Sequence, residues 1–125
     1  MAVAIGAPLL LATLVACGDD DSAGDGPQLE GAAARGQELA RTRGCAACHG
    51  ANGQGGLGPA WADRLGTEAT LKDGSTVVVD EAYLTESIED PGAKVVDGYS
   101  VTMPKTDLSD EEVADLVAYI VALNG

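Results

Sequence analysis

The sequence predicts an all-α domain with one small β-hairpin set into it. Three stretches carry that expectation. Ser109-Asp110-Glu111-Glu112 has the form of a capping box, and behind it Val113, Leu116, Val117, Ile120 and Leu123 recur at helical spacing. Ala32 to Arg43 carries Ala, Leu and Arg at helix-favouring density and stops at Gly44. Asp80 can cap a short helix in which Leu84 and Ile88 face one way and which Pro91-Gly92 ends.

Size and charge bound the rest. At 125 residues the chain has room for one domain. Seven Lys+Arg stand against twenty Asp+Glu, a formal net charge of -13. A nucleic-acid binder needs a basic face to neutralise phosphates, so that class is excluded. The same charge opposes adsorption to anionic lipid through a polybasic patch. With one Trp, three Tyr and no Phe, the core is thin unless something other than side chains fills it.

In chain order, residues 1–16 hold no charged side chain and run apolar through Leu9-Leu10-Leu11 to Leu14-Val15-Ala16. They are short of the roughly 20 residues that span a bilayer and read as the apolar part of an export signal. No Lys or Arg precedes them, so either the start lies upstream of Met1 or the amino terminus supplies the positive charge. Leu14-Val15-Ala16-Cys17-Gly18 resembles a bacterial lipobox, in which Cys17 becomes the first mature residue and carries the lipid. The alternative is a cleaved signal in which Cys17 is incidental. Residues 17–30, with Asp19, Asp20, Asp21, Asp25 and Glu30 among Gly, Ser and Pro, are expected to be a solvated, self-repelling tether. Residues 31–125 are then the folded domain. Gly36 inside the first helix costs about 1 kcal/mol against Ala, which calls for a packing reason. Ala69 to Val79 reads as a β-hairpin turning at Asp73-Gly74, which is marginal by itself and must lean on the domain.

Gly44-Cys45-Ala46-Ala47-Cys48-His49-Gly50 holds the chemistry. A bare Cys-x-x-Cys is ambiguous between a redox dithiol, half a zinc site and a disulfide. His49 directly after it makes the Cys-x-x-Cys-His attachment pattern of c-type haem. On a turn after a helix, the two thiols reach the two vinyl groups of one porphyrin edge and His49 comes under the iron. His49 is the only histidine, so no site of two Cys plus two His can be assembled. With Met1 removed, Met103 is the only methionine left, and it lies in a Gly/Pro-rich loop rather than on an apolar helix face. A neutral thioether opposite His49 favours reduced iron, and Pro104 holds Met103 extended. The run from Gly50 to Pro59 lacks the Lys-Ser/Thr ending and preceding strand of a phosphate loop.

These residues, with Asp80 to Pro91, Gly98-Tyr99 and Met103-Pro104, resemble the class I monohaem cytochrome c family over residues 31–125. The likeness is nearest to the cytochrome c domain fused to subunit II of haem-copper (caa3-type) oxidases. No copper-site cluster and no transmembrane hairpin precede the haem motif here, so the expectation is a free-standing lipoprotein relative. The resemblance implies a cytochrome c fold with haem c as its core, His49 and Met103 as axial iron ligands, and thioethers at Cys45 and Cys48. It implies that the Pro59 carbonyl accepts the Nδ1–H of His49, and that Gly36 lets the first and last helices cross closely beneath Tyr119. Trp61 and Tyr99 are candidates for haem packing or propionate hydrogen bonds, with core or surface filling as the alternative for each.

The expected function is one-electron transfer in a respiratory or related chain, with no catalysis. The expected place is the periplasmic side of a bacterial membrane, where the oxidising compartment suits thioether attachment. The acidic monomer is expected to dock on redox partners with a basic surface, at rates that fall as salt rises. A terminal oxidase or a quinol-oxidising reductase is the partner the resemblance suggests. The competing class is a ligand-binding or peroxidase-like haem protein with a displaceable Met103. A dithiol oxidoreductase using Cys45 and Cys48 lacks the βαβ context of a thioredoxin-like fold.

Overall fold

The computed structural model describes residues 28–125, so the apolar segment 1–16, Cys17 and most of the acidic stretch lie outside the described residues. In chain order the elements are α1 (Gly31–Thr42), α2 (Cys45–His49), β1 (Glu68–Thr70), β2 (Thr76–Val78), α3 (Glu81–Glu89) and α4 (Asp110–Ala122). Among the described residues no helix is long and apolar enough to cross a membrane.

The helix starts follow their sequence signals. At α4, Ser109 Oγ accepts from the Glu112 amide at 3.2 Å while Glu112 Oε2 accepts from the Ser109 amide at 2.9 Å. The Ser109 amide, then Arg43, hold the Glu112 carboxyl below the usual carboxylate range. At α3, Asp80 Oδ1 accepts from the Tyr83 amide at 2.8 Å. Pro91 then bars continuation of that helix.

Helix α1 lies across α4, the most extensive helix contact in the fold. Its buried residues are small, Gly36 and Ala40, and they meet Asp115, Leu116 and Tyr119 of α4. A Cβ on Gly36 would overlap the Asp115 carbonyl oxygen and lie 2.8 Å from Tyr119 Cβ. That close approach is the packing reason for a helix-interior glycine. Beside it, Arg35 Nε and Nη2 each donate to the buried Asp115 carboxylate at 2.8 Å, a bidentate pair that fixes the crossing. Gly36→Ala should therefore destabilise the haem-loaded domain by about 2–3 kcal/mol, because the backbones must part by more than the helix-propensity gain offsets. A urea melt of the two proteins measures this, and an equal or raised midpoint contradicts the close crossing.

The hairpin pairs Glu68 with Val78, Ala69 with Val77 and Thr70 with Thr76, antiparallel. Its turn is closed by Asp73 Oδ1, which accepts from the Ser75 amide at 2.9 Å and the Ser75 hydroxyl at 2.6 Å, with Gly74 at φ 84°. The support that so small a sheet needs comes from the segment after α3. Leu71 bridges to Val96, the Lys72 amide donates to Val95 O at 2.9 Å, and the Asp97 amide donates to Thr70 O at 2.9 Å. Ala69, Leu71 and Val79 are buried.

Two apolar clusters make the core. Ala69, Val79, Tyr83, Leu84, Val117 and Ile120 form one; Ala40, Leu116 and Tyr119 form the other. Trp61 and Ile88 pack against both. Leu29, within the stretch 17–30 expected as a tether, packs on the second cluster. An isolated leucine in an acidic, glycine-rich stretch gives no periodic signal, so its docking is legible only once α1 and α4 are placed.

Candidate functional site

Gly44 follows α1 in the left-handed region, φ 81°, and turns the chain into α2. On that five-residue helix Cys45 and Cys48 are three apart and so share a face. His49 is its last residue. The motif was expected on a turn, and the turn is itself helical.

The glycine-rich run behind it folds back as a strap. The Gly55 amide donates to His49 O at 2.7 Å and the Gly58 amide to Cys48 O at 3.0 Å. A Cβ on Gly58 would sit 3.0 Å from His49 Cε1, so any side chain there would press on the ring that the strap lies against. The strap ends by bringing Pro59 O to 2.7 Å from His49 Nδ1. A carbonyl only accepts, so the proton on this contact belongs to Nδ1, and Nε2 is left with its lone pair free. Burial holds His49 below the usual imidazole range, and the bond to Pro59 opposes that shift.

Cys45, Cys48, His49, Pro59, Trp61, Tyr99 and Met103 all line one cleft. The first three come from α2, Pro59 and Trp61 from the strap and the residues after it. Tyr99 and Met103 come from the irregular segment between α3 and α4. Leu84 and Ile88 of α3 and Leu116 and Ile120 of α4 supply apolar lining. Every candidate residue of the domain is thus brought to the same place, while Cys17 lies outside the described residues.

Trp61 does more than line the cleft. Its ring stacks on His49 with centroids 4.5 Å apart and planes 19° apart, and it meets Tyr119 edge-on at 6.2 Å and 86°. Its carbonyl accepts from Asn124 Nδ2 at 2.9 Å. Neither the stack nor Asn124 had a sequence signal, since both are contacts between distant segments.

The charge around the cleft also differs from that of the whole chain. Among the described residues Arg43, Arg64 and Lys94 line it and no Asp or Glu does. Arg43 pairs with Glu112 at 2.7 Å and Lys94 with Glu86 at 2.6 Å, so two acidic side chains face the rim cations from outside the lining. Leu57 and Val101, both lining residues, are among the few exposed large apolar side chains. Ser87 Oγ, also on the cleft, is buried and has no hydrogen-bond partner among the described residues.

This donor set fits a covalently held iron porphyrin. It offers two thiols on one helix face, a neutral imidazole with one committed nitrogen, a thioether from a separate segment, and an apolar lining for a flat macrocycle. Burial pushes the Cys45 thiol up, the reverse of the depressed value that marks an activated redox dithiol.

Comparison with known families agrees. The sequence model of the family described as Cytochrome c matches residues 33–124, a span that includes every lining residue named above and nearly the whole described domain. A search of curated proteins finds no match. On that match, and with a mostly helical fold carrying one small two-stranded antiparallel sheet, the chain belongs to the cytochrome c family and binds haem c covalently.

Proposed function

We propose that this class I cytochrome c is a one-electron carrier whose haem c forms the centre of its core, with thioethers at Cys45 and Cys48 and axial ligands His49 and Met103. The observation that carries the reading is the convergence of Cys45, Cys48, His49 and Met103 on one apolar cleft. Bound haem supplies a single-electron iron couple. The chain's own residues do the tuning. Pro59 O holds the Nδ1 proton of His49, fixing the tautomer and raising the basicity of Nε2. Met103 contributes a neutral sulfur, which favours the reduced state and raises the potential. With both axial positions taken by protein, no site is left open to a substrate, and the protein transfers electrons without catalysing a reaction. Trp61 and Tyr99 complete the haem surroundings.

Around this domain the proposal places an export signal at 1–16, a lipid on Cys17 and an acidic tether leading to α1. The molecule is then a monomer held on the periplasmic side of a bacterial membrane, related to the cytochrome c domain fused to subunit II of caa3-type oxidases. Its charge of -13 favours encounter with a redox partner that presents a basic surface, such as a terminal oxidase or a quinol-oxidising reductase. Lipid anchoring is tested by Cys17→Ser in an exporting bacterial host. The variant should move from the membrane fraction to the soluble periplasmic fraction, because acyl burial is what holds the protein there. Retention on membranes would assign the anchor to residues 1–16 instead.

The central test is optical. Expressed in a host that matures c-type haem, the protein should give low-spin oxidised and reduced spectra that CO leaves unchanged, with a sulfur-to-iron band in the oxidised state. A high-spin spectrum that shifts with CO would replace this reading with a ligand-binding or peroxidase-like haem.

A further inference from the structure

The hydrogen bond from His49 Nδ1 to Pro59 O fixes one atom of the ring at 2.7 Å. It does not fix the plane. A carbonyl accepts over a broad range of directions, and the terminal torsion of histidine is soft and roughly two-fold. A ring held at one nitrogen can still roll about that contact.

Trp61 removes the roll. Its indole lies over the imidazole with centroids 4.5 Å apart and planes within 19°, so turning the imidazole drives its edge into the indole face. The indole is fixed in turn. The Trp61 amide donates to Gly53 O at 2.7 Å, Asn124 Nδ2 donates to Trp61 O at 2.9 Å, and Tyr119 abuts the ring edge-on. Asn124 uses its whole hydrogen-bonding capacity on this corner. Its second Nδ2 proton goes to Ile120 O at 2.8 Å, and Oδ1 accepts from the amides of Arg64 at 2.7 Å and Leu65 at 3.0 Å. A side chain just past the end of α4 thereby pins residues 61–65, and through Trp61 the plane of His49.

We propose that Trp61 is a positioning residue for the iron ligand: stacked on His49 and anchored by Asn124, it sets the rotational orientation of the imidazole plane at the haem. The proposal rests on His49 ligating the iron, as argued above. Its consequence is electronic. The imidazole plane decides along which porphyrin axis the unpaired electron of oxidised iron is spread, and so which edge of the macrocycle carries spin density.

The test uses the holoprotein and its Trp61→Phe, Trp61→Leu and Asn124→Ala variants, all oxidised and saturated with cyanide. Cyanide replaces the Met103 sulfur, so the proton NMR shifts of the four haem methyls then follow the His49 plane alone. Trp61→Leu should reorder those methyl shifts, Trp61→Phe should keep the wild-type order because a flat face remains, and Asn124→Ala should move them in the same direction as Trp61→Leu by less. Wild-type order in Trp61→Leu would reduce Trp61 to filling, and equal disturbance by Phe and Leu would assign the effect to volume rather than stacking. If Trp61→Leu does not load haem, Asn124→Ala decides, since it leaves the indole in place: unchanged shifts there overturn the anchoring. A wild-type cyanide adduct without the low-spin spectrum of an imidazole- and cyanide-ligated haem would instead overturn the His49 ligation on which the proposal stands.

Discussion

Replacing Cys45 and Cys48 together by alanine should leave the chain without covalent haem and without a stable fold. The two thiols share one face of α2 and are the bonds that outlast denaturation, so the double variant should lose all haem absorbance after unfolding and washing, while each single variant keeps one thioether. The stability loss follows from where the core lies. Ala69, Val79, Leu84, Leu116 and Ile120 are core residues that also line the cleft. Fully wetting a side chain such as Leu84 costs about 1.5–3 kcal/mol. Wetting two or three of them approaches the whole margin of about 5–15 kcal/mol that a small domain possesses. The chain has four aromatic side chains to compensate with, one Trp and three Tyr, and Trp61, Tyr83 and Tyr99 are themselves on the cleft. Far-UV circular dichroism with a urea melt checks the outcome. A haem-free double variant that unfolds cooperatively from native helix content would contradict the view that the macrocycle is the core.

What could be read from the sequence was what is local. The capping box at Ser109, the Asp80 cap and the glycine at 36 are each decided within a turn or two, and each holds in the structure. The Cys45, Cys48 and His49 cluster was legible for the same reason. Met103, which the structure shows on the cleft, was singled out differently, by composition, because few soft ligands exist in the chain. The unread features are those made by chain segments far apart. A five-residue helix such as α2 is too short for a period to show. The hairpin could be seen from Asp73-Gly74, but its lodging against Val95 and Val96 is a tertiary contact with no pattern of its own. The Trp61 stack on His49 and the four bonds of Asn124 belong to the same class.

Charge makes the contrast sharpest. A total of -13 describes the chain, yet among the described residues the cleft is lined by Arg43, Arg64 and Lys94 and by no carboxylate. Segregation of sign is a property of the folded surface. Long-range steering follows the total, whereas the last few ångströms of an encounter at the cleft meet paired cations and the exposed apolar side chains of Leu57 and Val101. The salt dependence of partner transfer should therefore appear in the association rate more than in the lifetime of the docked pair.

Met103→Ala should change the redox chemistry more than any other single substitution. Removing the sulfur takes away a ligand that prefers reduced iron, and the potential should fall on the order of 100 mV, close to two decades in the redox equilibrium at about 59 mV per tenfold. Carbon monoxide, which the proposed Met103 ligation would keep from the iron of the parent protein, should then bind the reduced form. Among the lining residues the Lys94 amine is one candidate competitor for the opened position. It is engaged by Glu86 at 2.6 Å, and that hydrogen bond holds its pKa above the usual lysine value. An ammonium has no lone pair to give, so ligation by Lys94 must release a proton and is favoured as the pH rises. Carbon monoxide binding in Met103→Ala should thus weaken as the pH rises, and adding Glu86→Gln, which removes the hydrogen bond that holds the ammonium, should bring that weakening to lower pH. Redox titration and CO difference spectra across pH measure both effects. An unchanged potential together with no CO binding would remove Met103 from the iron and return the choice of sixth ligand to the other residues of the cleft.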